Sequence, residues 1–147
     1  MPEGVSIRRA RVADLDAIHA LESVAFPAPW RREFFESEMA ASGRICLVAL
    51  RNKVLVGYLF AMWLFDEMHV NKIAVTEAER RKGIADALMA QCIDFAEQHD
   101  VKMISLEVRK SNHGAQEFYK HLQFKASYLR PRYYPDGEAA VVMTRDV

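Results

Sequence analysis

Cysteine is scarce in this chain, neither sign of charge is in excess, and no apolar run is long. The two cysteines, Cys46 and Cys92, share no CxxC or Cys/His spacing, which argues against a disulfide framework and leaves no metal-ligand pattern. Both read as small buried apolar residues, so no metal is expected and a reducing cytoplasm fits. Twenty basic and twenty acidic residues cancel, so net charge gives no reason to expect nucleic acid or an anionic membrane as partner. The longest uncharged stretch, residues 54–65, contains Gly57 and Tyr58 and falls well short of the ~20 residues that a membrane-spanning helix needs. A secretory leader is not expected, because Arg8, Arg9 and Arg11 are followed by an acidic helix rather than an apolar one. What remains is 147 residues, 51% hydrophobic and 27% charged. That composition predicts one globular domain over 1–147 with a real core.

Hydrophobic spacing divides the chain into alternating strands and helices. Residues 5–9 read as a first strand, and Leu15, Ile18 and Leu21 recur at helical spacing over 14–25. Phe26-Pro27-Ala28-Pro29-Trp30 cannot continue that helix, because each proline lacks a donor and restricts its predecessor. Its two aromatics either plug the core or form one wall of a pocket. A second helix is expected over about 31–41, closed by Ser42-Gly43. Residues 45–50 and 54–64 are β-prone and joined by Arg51-Asn52-Lys53 as a hairpin. Asp66-Glu67 breaks the apolar run before a strand over 68–75. A helix over 84–99, a strand over 103–108 and a helix over 114–122 follow. The chain closes with strands around Tyr128 and over 139–144, between which Pro135-Asp136-Gly137 marks a turn. This order predicts an α/β sandwich built on a mixed sheet.

The stretch from Ile73 to Leu88 carries the first chemical signal. Arg80, Arg81 and Lys82 stand just before a helix beginning near Gly83, where the helix dipole and free N–H groups already place positive charge. An anion there would resolve the conflict. Gly83 and the small Ala85 would let the N–H groups of residues 81–86 cradle a phosphate or pyrophosphate. A solvated basic turn, with Glu77 and Glu79 offsetting the cations, accounts for the same residues. There is no Gly-Lys-Ser/Thr and only one glycine, so neither a Walker loop nor a dinucleotide fingerprint is present.

Further along, alternation in Ser105-Leu106-Glu107-Val108-Arg109 sets Glu107 with Ser105 and Arg109 on one strand face. An acid raised by partial burial can take a proton there; a surface glutamate paired with Arg109 is the plainer alternative. Tyr119 is either a proton donor or an ordinary core tyrosine. Asn112 is either the cap of the following helix or a ligand-binding amide.

Arg80-Arg81-Lys82-Gly83-Ile84-Ala85 resembles the Gln/Arg-x-x-Gly-x-Gly/Ala segment of the GNAT N-acetyltransferases, and the element order resembles their whole fold, a central mixed, mostly antiparallel sheet flanked by helices. Segment by segment, the chain is similar to the ribosomal-protein-alanine N-acetyltransferases of the RimI family. The matching segments are Phe26-Pro27-Ala28-Pro29-Trp30, Asp66-Glu67, Ile73-Ala74-Val75, Leu106-Glu107-Val108-Arg109, Ser111-Asn112, Phe118-Tyr119-Lys120-His121-Leu122-Gln123-Phe124 and Arg132-Tyr133-Tyr134-Pro135-Asp136-Gly137.

The resemblance implies an enzyme that binds acetyl-coenzyme A as cosubstrate and acetylates an alanine α-amine at the N-terminus of a small-subunit ribosomal protein. It implies Glu107 as general base and Tyr119 as general acid. Ile73, Ala74, Val75, Arg80, Arg81, Lys82, Gly83, Ile84, Ala85, Asp86 and Asn112 would contact the cosubstrate. Phe26, Trp30, Tyr133 and Tyr134 would flank the peptide, and Glu67 would help receive its amine. His69 is an additional or alternative base, and Lys72 is expected to point away from an incoming cationic amine. Gln123 replaces the usual glycine of this family's Leu-Gly-Phe turn, at some cost in strain. A lysine or small-metabolite acceptor, and a non-catalytic acetyl-coenzyme A sensor, are the alternative readings. The expected assembly is a monomer or weak homodimer.

Overall fold

A computed structural model describes residues 2–147. Seven strands form one sheet in the order β1-β2-β3-β4-β5-β7-β6, with four α-helices between them in sequence. The strands are β1 Val5–Arg9, β2 Arg44–Arg51, β3 Val54–Leu64, β4 Glu67–Val75, β5 Met103–Arg109, β6 Lys125–Arg130 and β7 Ala140–Asp146. The helices are α1 Leu15–Ala25, α2 Arg32–Ala40, α3 Ile84–Gln98 and α4 His113–His121. The pairs β1·β2, β2·β3, β5·β7 and β6·β7 are antiparallel, and β4·β5 is parallel. The expected element order holds throughout. Among the described residues no helix is long and apolar enough to cross a membrane.

The chain forms two compact units, one running to Met62 and including Val70–Phe95, the other made of Trp63–His69 and Ala96–Val147. In the first, the apolar stripe of α1 supplies Leu15 and Ile18, α2 supplies Phe35, and the strands supply Cys46, Val48, Tyr58, Phe60 and Ala74 to one buried cluster. Phe35 meets Tyr58 and Phe60 edge-on at 5.8 and 5.0 Å, a preferred arrangement for aromatic pairs. The β2–β3 hairpin turns on Asn52 and Lys53, both at positive φ, as two-residue turns require.

In the second unit, alternation along β5 buries Ile104, Leu106 and Val108 and leaves Ser105, Glu107 and Arg109 on the other face. β7 runs beside it with Ala140 to Met143 buried. Gln123 ends α4 at φ 73°, and its neighbour Phe124 donates its N–H back to the Tyr119 carbonyl at 3.0 Å. The missing glycine therefore does place an ordinary residue in the left-handed region.

Candidate active site

The phosphate-loop candidates lie in the first unit. β4 delivers Ile73, Ala74 and Val75, of which the last two are buried, and the chain then makes a short 3-10 turn over Glu77–Glu79. Arg81 at φ 63° and Gly83 at φ 84° reverse the backbone into α3, whose first bond runs from the Ala87 N–H to the Gly83 carbonyl at 3.0 Å. The N–H groups of the preceding turn have no partner within such a helix. Among the described residues a Cβ at Gly83 would meet only the Cγ of Pro2, an ordinary contact at 3.5 Å, so glycine is required there by its backbone conformation, φ 84°. Arg81, Lys82 and Asp86 are exposed, Ala85 is half-buried and Ile84 is buried.

Two of the basic and acidic residues here have definite partners. Arg80 donates through Nε to the Val75 carbonyl at 3.1 Å, which ties the start of the loop to the end of its strand. Glu79 is held by Arg51, whose Nε lies 3.1 Å from both of its oxygens, and Lys82 is 3.7 Å away. One acidic residue is thus committed chiefly to Arg51, and the exposed cations of the loop keep their excess. This donor set fits a pyrophosphate.

Gly57 is a contributor that the sequence reading missed. A Cβ there would lie 3.0 Å from the Ala74 carbonyl oxygen and 3.4 Å from the Val75 side chain. Its absence lets β3 approach the end of β4, where the Thr76 N–H bonds to the Val56 carbonyl at 2.8 Å. A lone glycine inside an apolar strand was the available signal.

Phe26 and Trp30 also belong to the first unit. Both are half-buried and pack on its core cluster, so each serves as a plug on one side and keeps a face toward solvent. Lys72 does not project as a free cation: its Nζ is 3.0 Å from an oxygen of Glu22. Nothing in the sequence pattern singled out Glu22, a charged residue on the buried face of α1.

The catalytic candidates lie in the second unit. Glu107 is not paired with Arg109. Its side chain is only 9% exposed, with His69 Nε2 at 2.9 and 2.7 Å from its two oxygens and the Tyr133 hydroxyl donating to Oε1 at 2.8 Å. Burial pushes this carboxyl up, but the hydrogen bonds and charge of His69, the Tyr133 hydroxyl and the nearby Arg130 outweigh it and hold the group below its ordinary value. That reverses the expectation of an acid raised by burial. With a carboxylate as its partner, Nε2 of His69 is the nitrogen that carries the hydrogen. Glu67, two residues before His69, shares its strand face and is exposed.

Arg109 instead binds Asp136 and Glu138 at 2.8 and 2.9 Å, and its guanidinium lies 4.1 Å from the centroid of the Tyr134 ring. The Ser111 N–H donates to the other oxygen of Glu138 at 2.8 Å. These contacts fasten the turn that carries Tyr133 and Tyr134 to the end of β5. Contacts from Ser111 and Arg109 hold Glu138 down to about 2, and burial pushes the Tyr134 phenol up to about 12.

Tyr119 is buried in α4, and desolvation, with Tyr134 adding to it, pushes its phenol well above the usual value. It therefore keeps its proton at neutral pH. Asn112 caps α4, its Oδ1 accepting from the Ala115 N–H at 3.1 Å, which realises the capping role. Among the described residues no group of three His, Cys, Asp or Glu is placed to hold a metal ion.

Comparison with known proteins places these features in a wider group. A model of the acetyltransferase (GNAT) family matches residues 15–124. The chain is 29% identical to a putative [ribosomal protein bS18]-alanine N-acetyltransferase of Bacillus subtilis (strain 168), over 97% of this chain and 96% of that protein. It is 33% identical to an N-alpha-acetyltransferase of Saccharolobus solfataricus, over 95% and 92%. Among solved structures, the ribosomal-protein-S18-alanine N-acetyltransferase from Escherichia coli matches with a TM-score of 0.90 and 29% identity, over 97% of this chain and 94% of that one.

Proposed function

The chain belongs to the acetyltransferase (GNAT) family and is an N-acetyltransferase, and on that premise we propose that it acetylates the α-amine of an alanine at the N-terminus of a small-subunit ribosomal protein. The likeness to the ribosomal-protein-alanine N-acetyltransferases supports the acceptor, and the nearly buried Glu107 carboxylate bound by His69 and Tyr133 supports the chemistry. Acetyl-coenzyme A supplies the activated acetyl group when bound. The backbone N–H groups of Arg81, Lys82, Gly83, Ile84, Ala85 and Asp86, with the Arg80, Arg81 and Lys82 side chains, would hold its pyrophosphate, and Ile73, Ala74 and Val75 would lie along the cosubstrate; the resemblance adds Asn112. These assignments rest on the cationic helix start, with Arg81 and Lys82 exposed, and on family resemblance.

The acceptor arrives as an ammonium and must lose a proton. A carboxylate held below its ordinary pKa is a weak base by itself, so the Glu107–His69 pair takes the proton as a unit, with Glu107 fixing the imidazole and stabilising its charged form. Tyr119, its phenol raised by burial, keeps its proton and would offer its Oη–H as a hydrogen-bond donor to the leaving sulfur, full transfer to a thiolate of ordinary basicity being uphill. By the family resemblance, Phe26, Trp30, Tyr133 and Tyr134 would contact the peptide, and Glu67 would help receive its amine.

No acyl-enzyme is involved. Burial raises the thiols of Cys46 and Cys92 to about 11 and about 12, which leaves both protonated and inert.

A broader range of protein N-termini is the second reading, favoured by the likeness to the S. solfataricus N-alpha-acetyltransferase. The test is mass spectrometry of acetyl transfer to a panel of Ala-N-terminal peptides from small-subunit proteins, unrelated N-terminal peptides, N-blocked lysine peptides and polyamines. Transfer to the ribosomal Ala peptides alone is expected. Transfer to many N-termini favours the second reading, and transfer only to lysine or polyamines overturns both.

A further inference from the structure

Beneath the proline turn lies an ion pair that the acetyl-transfer chemistry leaves unused. Glu22 has no exposed surface, yet three donors converge on its carboxylate. The Tyr58 hydroxyl binds Oε1, the Trp30 backbone N–H binds Oε2 at 2.9 Å, and the Lys72 ammonium binds Oε2 at 3.0 Å. The same residue also receives the Phe26 N–H on its carbonyl, at 3.0 Å. Both aromatic ends of the turn are therefore tied to Glu22, one through its main chain and one through its side chain.

Lys72 supports the turn through the rings themselves. Its ammonium lies 3.7 Å from the centroid of Phe26 and 5.2 Å from that of Trp30, both within the range of cation–π attraction, which is strongest where water is excluded. The Lys72 side chain is 15% exposed. Burying two charges carries a large desolvation cost that an apolar pair would avoid, so stability alone does not explain the choice. The arrangement supplies directed contacts to two rings and one amide. Pro27 and Pro29 have no N–H with which to fasten the turn. Glu22 also offsets the Lys72 charge, which would otherwise repel a cationic acceptor.

We propose that Glu22 and Lys72 are positioning residues for acceptor recognition, holding the Phe26 and Trp30 rings in the orientation that receives the acceptor peptide. The inference rests on the reading above that this turn flanks the acceptor.

The test uses Lys72→Met, the Glu22→Gln/Lys72→Met double variant, which removes both charges at once, and Lys72→Arg, which keeps a cation. All are made in a Trp63→Phe background so that Trp30 is the sole tryptophan. Steady-state kinetics with an Ala-N-terminal peptide should show the acceptor KM rising about tenfold in both Met variants, with the acetyl-coenzyme A KM within about twofold. Lys72→Arg should restore most of the acceptor KM. Acrylamide quenching of Trp30 should increase in Lys72→Met. An unchanged acceptor KM in folded Lys72→Met, or both KM values rising together, overturns the proposal. Should the parent enzyme acetylate no N-terminal peptide, the proposed function fails. The quenching measurement then still judges the pair, and unchanged quenching in Lys72→Met refutes it.

Discussion

Glu107 keeps its charge in a nearly buried position because His69 and Tyr133 satisfy it. Replacing it with Gln removes the partner of an imidazolium, and turnover should fall about 10²- to 10⁴-fold with acetyl-coenzyme A affinity in calorimetry little changed. The pH profile discriminates further. With Glu107 held below its ordinary value, a carboxylate acting alone would keep kcat/KM flat down to pH ~5, whereas the pair predicts that kcat/KM already falls on acidification above that pH, because His69 must be neutral to take the proton. A flat profile down to pH 5 would assign the step to Glu107 alone. Strand alternation made the facing of Glu107 legible in the sequence. Its partners were not, because His69 comes from a parallel neighbouring strand, registered opposite Ser105, and Tyr133 from a turn whose path depends on Arg109. Sequence proximity favoured the Glu107–Arg109 pair, but Asp136 and Glu138 hold that guanidinium. Glu22 was hidden for a related reason, since its charge disguises a core position.

At the scale of elements, glycine and its absence mark where the backbone is constrained. Gly83→Val forces a branched residue to φ 84°, which bulky residues strongly disfavour. Calorimetry should show acetyl-coenzyme A affinity reduced at least about tenfold, and retained affinity would contradict the cradle. Gln123→Gly works in the opposite direction. Relief of a left-handed residue at the end of α4 should stabilise the protein by about 0.5–1 kcal/mol in urea melts, and a lower midpoint would show that Gln123 makes compensating contacts. The boundaries of α1, α3 and β1 were legible from apolar spacing, and the turn around Gly137 from its proline and glycine. The close approach at Gly57 was not, since it depends on the Ala74 carbonyl from another strand.

For the molecule as a whole, the element order sufficed to predict the mixed sheet, because alternating strands and amphipathic helices leave few ways to bury both. The division into two compact units was not foreseen, since nothing in composition marks the changes at Met62 and Phe95. Acid sensitivity follows from Glu138 and Asp14, both held below their ordinary values. A depressed carboxylate stabilises the fold above its unfolded pKa and loses that contribution as pH falls through the folded value. Thermal midpoints should therefore drop as pH falls from about 4.5 toward 2, and Glu138→Gln should lower the midpoint at pH 7 while reducing the further drop. An equal acid-induced drop in the variant would contradict the assignment. The most direct measurement of function uses one peptide with a free N-terminal alanine and an internal lysine, incubated with acetyl-coenzyme A and the enzyme and then sequenced by tandem mass spectrometry. The account predicts acetyl on the alanine α-amine and an unmodified lysine; acetyl on the lysine with a free N-terminus would contradict it.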